Sequence, residues 1–183
     1  APGLAISPGD ALYQVARGRY STVYMPGYKI TMLPDEVVQT YTLQEGRDCP
    51  AVSIYFTIDE ATLEVRSQET RLERVPIAAN LRHDQLDGVI TADTLTGAAP
   101  AAYPFPTELA FCWRLAQHLK AQREVVRGKP ETFTRPDYSF KLEGHDGSEP
   151  TGRETVRIST RKRGEPLDLI VAEAMILANS TWG

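Results

Sequence analysis

The run Leu167-Asp168-Leu169-Ile170-Val171-Ala172-Glu173-Ala174-Met175-Ile176-Leu177-Ala178-Asn179 constrains this chain most, because only Asp168 and Glu173 interrupt it with charge. Pro166 stands where a first helical residue belongs, since its missing N–H costs nothing there. A helix that is apolar all round is expected to be buried. At helical spacing Glu173 has Leu169, Ile170, Ile176 and Leu177 as surface neighbours. A carboxylate in such company needs a partner or a shifted pKa, because an unpaired buried charge is very costly. Two readings stay open at this point. Glu173 is a structural acid held by an Arg or a backbone N–H elsewhere, or it faces a substrate.

The 183 residues make one domain or part of one, and 42% hydrophobic content suffices for a packed core. No long uncharged apolar stretch predicts a membrane span, and no signal peptide is visible at the start. Cys49 and Cys112 lie far apart with no metal-ligand spacing, so a reduced, cytoplasmic setting is the expectation. A net charge of −4 argues against a surface that coats nucleic acid indiscriminately; any such site must be a local basic channel. The chain opens Ala1-Pro2-Gly3 without Met and closes Ser180-Thr181-Trp182-Gly183 just after the apolar helix. A helix expected to be buried rarely ends a natural domain, so residues 1–183 read as the central segment of a longer polypeptide, truncated at both ends.

Along the chain, Ala11 to Arg19 reads as a short helix, and Pro26-Gly27 as a turn in which Pro presets φ and Gly supplies φ > 0. Pro34-Asp35-Glu36 has the form of a helix start. Val52, Ile54, Phe56 and Ile58 alternate with Ser53, Tyr55 and Thr57, the period of a half-buried strand. A turn near Glu60-Ala61-Thr62 leads to a polar, solvent-facing strand over 64–75, expected to run antiparallel to the first. His83 to Val89 fits a helix, and the Pro- and Ala-rich stretch 91–106 a loop. Thr107 is the expected cap of a long helix, Glu108 to Val126, with Gly128 as its stop and Leu109, Trp113, Ala116 and Leu119 facing the core. Tyr138 to Leu142 and Thr155 to Thr160 read as strands around a Gly144-His145-Asp146-Gly147 turn. Strands and helices mix without strict alternation, which predicts an α+β fold: a mixed, mainly antiparallel sheet packed with helices.

Four segments carry a family resemblance, in family order and across nearly the whole chain. Glu173-Ala174-Met175 with Ala178-Asn179 resembles the "E-x-M-x-x-A-N" helix of the RNB catalytic domain in the ribonuclease II / ribonuclease R family. Tyr24-Met25-Pro26-Gly27-Tyr28-Lys29-Ile30-Thr31-Met32-Leu33-Pro34 resembles that domain's "Y-L-P-G-x-x-I-P-M-L-P" segment. Arg135-Pro136-Asp137-Tyr138 resembles its "R-P-D-Y", and Pro8-Gly9-Asp10-Ala11-Leu12 with the helix after it fits the stretch ahead of the Tyr motif.

The resemblance implies that the parent protein is a processive 3′→5′ exoribonuclease. Such an enzyme hydrolyses single-stranded RNA with Mg²⁺ and releases nucleoside 5′-monophosphates. Tyr24 would then stack on a terminal base; an aromatic beside a rigid turn suits that, while Tyr28 is expected to be structural. Without the family, a Tyr packed under its own turn would be the favoured reading of Tyr24. Glu173 would accept a hydrogen bond from the terminal ribose, which fits an ionised carboxylate and a preference for RNA. Asn179 would hold the site from the same helix; its bland alternative is a C-terminal cap. Arg161 and Arg163, with Arg153, Arg157 and Lys162, set five positive charges against Glu154 within eleven residues. They would lead phosphates toward Glu173, although a solvated charge run is the commoner explanation of such a cluster.

Other residues are set aside. His83, His118 and His145 show no ligand spacing, and Asp84, Asp87 and Asp93 read as ordinary helix and loop acids. Two-metal hydrolysis needs several carboxylates converging on ions about 3.5–4 Å apart. In the family the metal-binding Asp cluster precedes this segment and the Arg-rich motif follows it, so no catalytic or metal-binding residue is expected within residues 1–183. Phe133 is displaced from the position of the family's stacking Phe. The expected protein is a monomer with no membrane contact. The alternative is a non-catalytic, RNA-binding RNB-like domain.

Overall fold

The computed structural model of the chain describes residues 2–132, 136–145, 150–161 and 164–183, with Leu4, His83, Asp84 and Arg161 as backbone alone. A 3-10 turn over Pro2–Ala5 is followed by α1 (Ala11–Arg19), β1 (Val23–Met25), β2 (Tyr28–Ile30), α2 (Asp35–Tyr41), β3 (Asp48–Ile58) and β4 (Val65–Pro76). Then come α3 (His83–Leu86), α4 (Ala92–Thr96), α5 (Pro106–Arg127), β5 (Asp137–Leu142), β6 (Val156–Arg161) and α6 (Pro166–Trp182). Among the described residues the strands pair as three two-stranded sheets, β1-β2, β3-β4 and β5-β6. The fold is α+β. Hydrogen bonds Asp59 N–H to Glu64 O and Ile77 N–H to Arg47 O close the β3-β4 pair at its two ends, as an antiparallel hairpin requires.

The residues group into two compact units. The first holds 1–53, 70–80 and 138–160, and the second holds 54–69, 81–137 and 161–183. In the first unit, the Arg19 guanidinium donates to Thr31 O at 2.8 Å and the Met32 N–H donates to Thr22 Oγ1 at 3.2 Å. Buried Thr31 donates to Leu33 O at 2.6 Å, so this polar group is satisfied within its own turn. Cys49 is fully buried, with its thiol on Thr42 O.

The second unit has the larger apolar core: Ile90, Leu95, Tyr103, Leu109 and Leu167, with Leu81, Leu86, Trp113 and Ile170 packed on it. α5 lies against α6 and α4 against α5. Pro166 opens α6 as expected, and Glu165 and Asp168 form a capping box around its first turn.

Several expectations are corrected. The stretch 91–106 contains α4, a short helix that Thr91 and Thr94 start with a reciprocal capping box and Gly97 ends at φ 80°. Threonine at both ends of that box gave none of the usual acidic signal. α5 begins at Pro106 rather than being capped by Thr107, because Phe105 precedes it in the left-handed region at φ 59°. The residue before a proline is pushed out of the right-handed helical region, which removes Phe105 from the helix. α3 stops at Leu86 and the chain turns through residues 87–89. α2 begins one residue later than expected, with Pro34 as its N-cap. Finally, α6 is not buried all round: Pro166, Leu167 and Glu173 are buried, whereas Val171, Met175, Ile176 and Trp182 are exposed.

Candidate functional site

Glu173 is 2% exposed, and Arg123 supplies its partner. The stripe Leu109, Ala116, Arg123 recurs every seven residues along α5, so it stays on one face. On α6, Pro166, Ile170, Glu173 and Leu177 form the matching stripe at helical spacing. Packing α5 on α6 therefore brings one cation and one acid together between apolar neighbours.

Arg123 Nη2 donates to Glu173 Oε1 at 2.5 Å and to Glu131 Oε2 at 2.7 Å. Arg127 approaches Glu131 at 3.5 Å, and the Glu131 N–H donates to Glu124 Oε1 at 2.8 Å. Hydrogen bonds to Glu131 and Glu173 raise the Arg123 pKa, and the Arg123 hydrogen bond lowers that of Glu131. The cluster thus keeps a carboxylate acceptor at Glu131 and a permanent cation beside Glu173.

Glu173 also lines a cavity of about 260 Å³, with Ile54, Phe56, Leu119 and Leu177 among its walls. It is the one charged residue of that lining among the described residues. Burial, then the charge of Glu108, raises the pKa of the Cys112 thiol on the same wall. Sites that enclose a drug-sized ligand run to about 300–1,000 Å³. This cavity is smaller than that and, Glu173 apart, mainly apolar in its lining.

The second candidate element lies in the first unit. β1 and β2 pair with Tyr24 opposite Lys29 and Met25 opposite Tyr28, across the Pro26-Gly27 turn. Tyr24 is 79% exposed, so its ring is not packed beneath its own turn. Tyr28 is 41% exposed. The turn itself is pinned. Gly27 has φ +68°, its carbonyl lies 3.2 Å from His145 Nε2, and a Cβ there would run into the Leu142 side chain. Glycine is needed at this position for both backbone sign and space.

Asn179 is exposed on α6, and its carbonyl accepts the Gly183 N–H at 2.9 Å. The helix continues to Trp182, so Asn179 is not its C-cap. Six residues beyond Glu173, it is turned about 240° around the helix from that acid.

Arg153 and Arg157 are exposed. Glu154, the one acid among them, is already engaged: its carboxylate accepts from Thr151 N–H, Thr151 Oγ1 and Gly152 N–H. Those bonds, led by the Thr151 backbone, lower its pKa to about 2. Arg161 ends β6 with its side chain outside the described residues, and Lys162 and Arg163 lie outside them entirely. Phe133, Arg135 and the Asp146-Gly147 part of the expected turn also lie outside.

Among the described residues no group of three His, Cys, Asp or Glu side chains is placed to hold a metal ion. Asp87 lies in the turn after α3, and Asp93 lies in α4. No helix among the described residues is long and apolar enough to cross a membrane.

Sequence reasoning alone missed Arg123 and Glu131. The signal for Arg123 was present, since continuing the buried α5 stripe by seven residues lands on it.

The RNB domain model matches residues 2–183, so the chain belongs to the RNB domain family. It is 27% identical over 184 residues to Exoribonuclease 2 of Vibrio vulnificus strain YJ016, covering all of this chain and 26% of the relative. Exoribonuclease 2 of Vibrio parahaemolyticus is 28% identical over 185 residues, with the same coverage. Protein SSD1 of Saccharomyces cerevisiae is 26% identical over 98 residues, 54% of this chain and 7% of SSD1. The solved structure of yeast Ssd1, a pseudonuclease, superposes with a TM-score of 0.52 at 24% identity, covering 69% of this chain and 14% of that one. The chain thus spans about a quarter of the length of the exoribonucleases it matches.

Proposed function

We propose that this segment forms the RNA 3′-end binding part of a 3′→5′ exoribonuclease. The parent polypeptide hydrolyses single-stranded RNA processively to nucleoside 5′-monophosphates, as a cytoplasmic monomer. The single observation that carries this reading is the match of the RNB domain to residues 2–183, with the Glu173 helix inside the whole-chain likeness to Exoribonuclease 2.

In this reading Glu173 accepts a hydrogen bond from the terminal ribose. Tyr24, exposed on its hairpin, stacks on a terminal base. Arg161 and Arg163 attract phosphates toward the site, and Asn179 assists from α6. The Mg²⁺ ions are held by carboxylates elsewhere in the parent. The likeness to yeast SSD1, whose solved structure is that of a pseudonuclease, supports a second reading, in which the segment binds RNA inside a protein that does not cleave it.

The two readings separate in one experiment. The complete polypeptide is incubated with Mg²⁺ and labelled single-stranded RNA. Release of nucleoside 5′-monophosphates, lost when EDTA is added, is the expected result. RNA bound but intact would overturn the hydrolytic reading in favour of the second.

A further inference from the structure

We propose that Arg123 is a positioning residue for Glu173: its guanidinium fixes one carboxylate oxygen so that the other is presented to a hydroxyl of the RNA-terminal ribose. The inference rests on the role proposed above for Glu173.

Three observations carry it. First, the bond from Arg123 Nη2 engages Oε1 of Glu173, and a carboxylate carries a second acceptor oxygen, here Oε2. Second, Glu173 is 2% exposed on an apolar helix. An unpaired charge is costly to bury, and the Arg123 guanidinium supplies a planar, permanently charged partner. Third, the guanidinium does not rotate freely. The other Nη2 hydrogen is held by Glu131 Oε2 at 2.7 Å, and Glu131 is tied through its own N–H to Glu124 of α5. The anchor therefore runs from the backbone after α5 through Glu131 and Arg123 to Glu173.

The arrangement is not optimised for burial of Arg123 itself. Its Nε is buried with no hydrogen-bond partner among the described residues. A buried donor left unmatched detracts from stability and calls for another explanation. Orientation of Glu173 supplies it.

The test uses the complete polypeptide and equilibrium binding without divalent metal, so that cleavage does not intervene. Two single-stranded oligonucleotides are compared, one all-ribose and one ending in a single 2′-deoxynucleotide. The readout is the ratio of their Kd values. A purely structural role for Arg123 would weaken both equally and leave the ratio alone. The original protein should favour the all-ribose end by about tenfold or more, the range of a hydrogen bond to a charged group. Glu173→Gln should reduce that preference, and Arg123→Met should reduce it at least as far. Arg123→Lys keeps the cation, so it covers the case in which Arg123→Met fails to fold. It should give an intermediate ratio, because an ammonium holds both carboxylates without the planar geometry.

If Glu173→Gln loses the preference while either folded Arg123 variant keeps it in full, the positioning role is wrong. If Glu173→Gln itself keeps the preference, the ribose-binding role of Glu173 fails, and the failure is then not specific to Arg123.

Discussion

Arg123 and Glu173 are fifty residues apart in sequence and 2.5 Å apart at their closest polar atoms. The contact joins the two longest helices of the second unit, α5 and α6, and buries Glu173 on an apolar helix. Removing one side of such a pair is worse than never having it, because the remaining charge stays in the interior.

Arg123→Met should therefore destabilise the fold by about 3–5 kcal/mol, since it strands Glu173. Glu173→Gln should cost less, about 1–3 kcal/mol, because Arg123 keeps Glu131 and the amide still accepts a hydrogen bond. Urea unfolding of both variants checks the order. Equal losses would mean that the Glu173 charge is better solvated than its burial implies.

Leu167→Ala removes a side chain at 5% exposure from the core of the second unit, and should cost about 2–5 kcal/mol. Met175→Ala, on the exposed side of α6, should stay within about 0.5 kcal/mol in the isolated segment. Thermal melts of the two variants test which face of α6 holds the fold.

How much of this was legible in the sequence depended on how local the cause was. α1, the Pro26-Gly27 hairpin, the polar β4 and the Gly128 stop follow from propensity and turn chemistry within a few residues. The acid in the apolar run was also legible as a problem needing a partner. Its solution was less so, because α5 carries several cations and only the packing register selects Arg123. α4 stayed hidden because Ala92-Asp93-Thr94-Leu95-Thr96 lies in a Gly- and Pro-bounded stretch with a threonine capping box. The covered and uncovered faces of α6 could not be told apart, since Leu167 and Met175 are equally apolar in sequence.

Gly27→Ala should destabilise the first unit. An L-residue at φ +68° loses about 1–2 kcal/mol, and the new methyl also meets Leu142. Chemical denaturation gives the loss. A variant as stable as the original would show that the turn relaxes away from Leu142 and His145.

Asp59 holds the β3-β4 connection. Its carboxylate accepts from Arg66 at 2.9 Å and from the N–H groups of Thr62 and Ala61. The Arg66 hydrogen bond, then the backbone bonds, hold its pKa at about 2, below the ordinary 3.8. A depressed acid stabilises the folded state above its unfolded pKa, and that contribution fades as pH falls through its folded value. The hairpin tip should therefore loosen between about pH 4 and pH 2, and Arg66→Ala should move the Asp59 titration midpoint up toward 3.8. An NMR titration of the carboxyl carbon reads both. A midpoint unchanged by Arg66→Ala would assign the shift to the backbone donors alone.

The most direct test of the central claim is where the end of an RNA lies on this chain. Single-stranded RNA carrying 4-thiouridine at its 3′ terminus is cross-linked to the complete polypeptide without divalent metal, and the modified peptides are sequenced. Cross-links are expected to the Tyr24 hairpin or to α6 around Glu173, and they should be lost when the photoreactive base is moved to the 5′ end. Cross-links elsewhere in the polypeptide from the 3′-terminal probe, with none in these two elements, would contradict it.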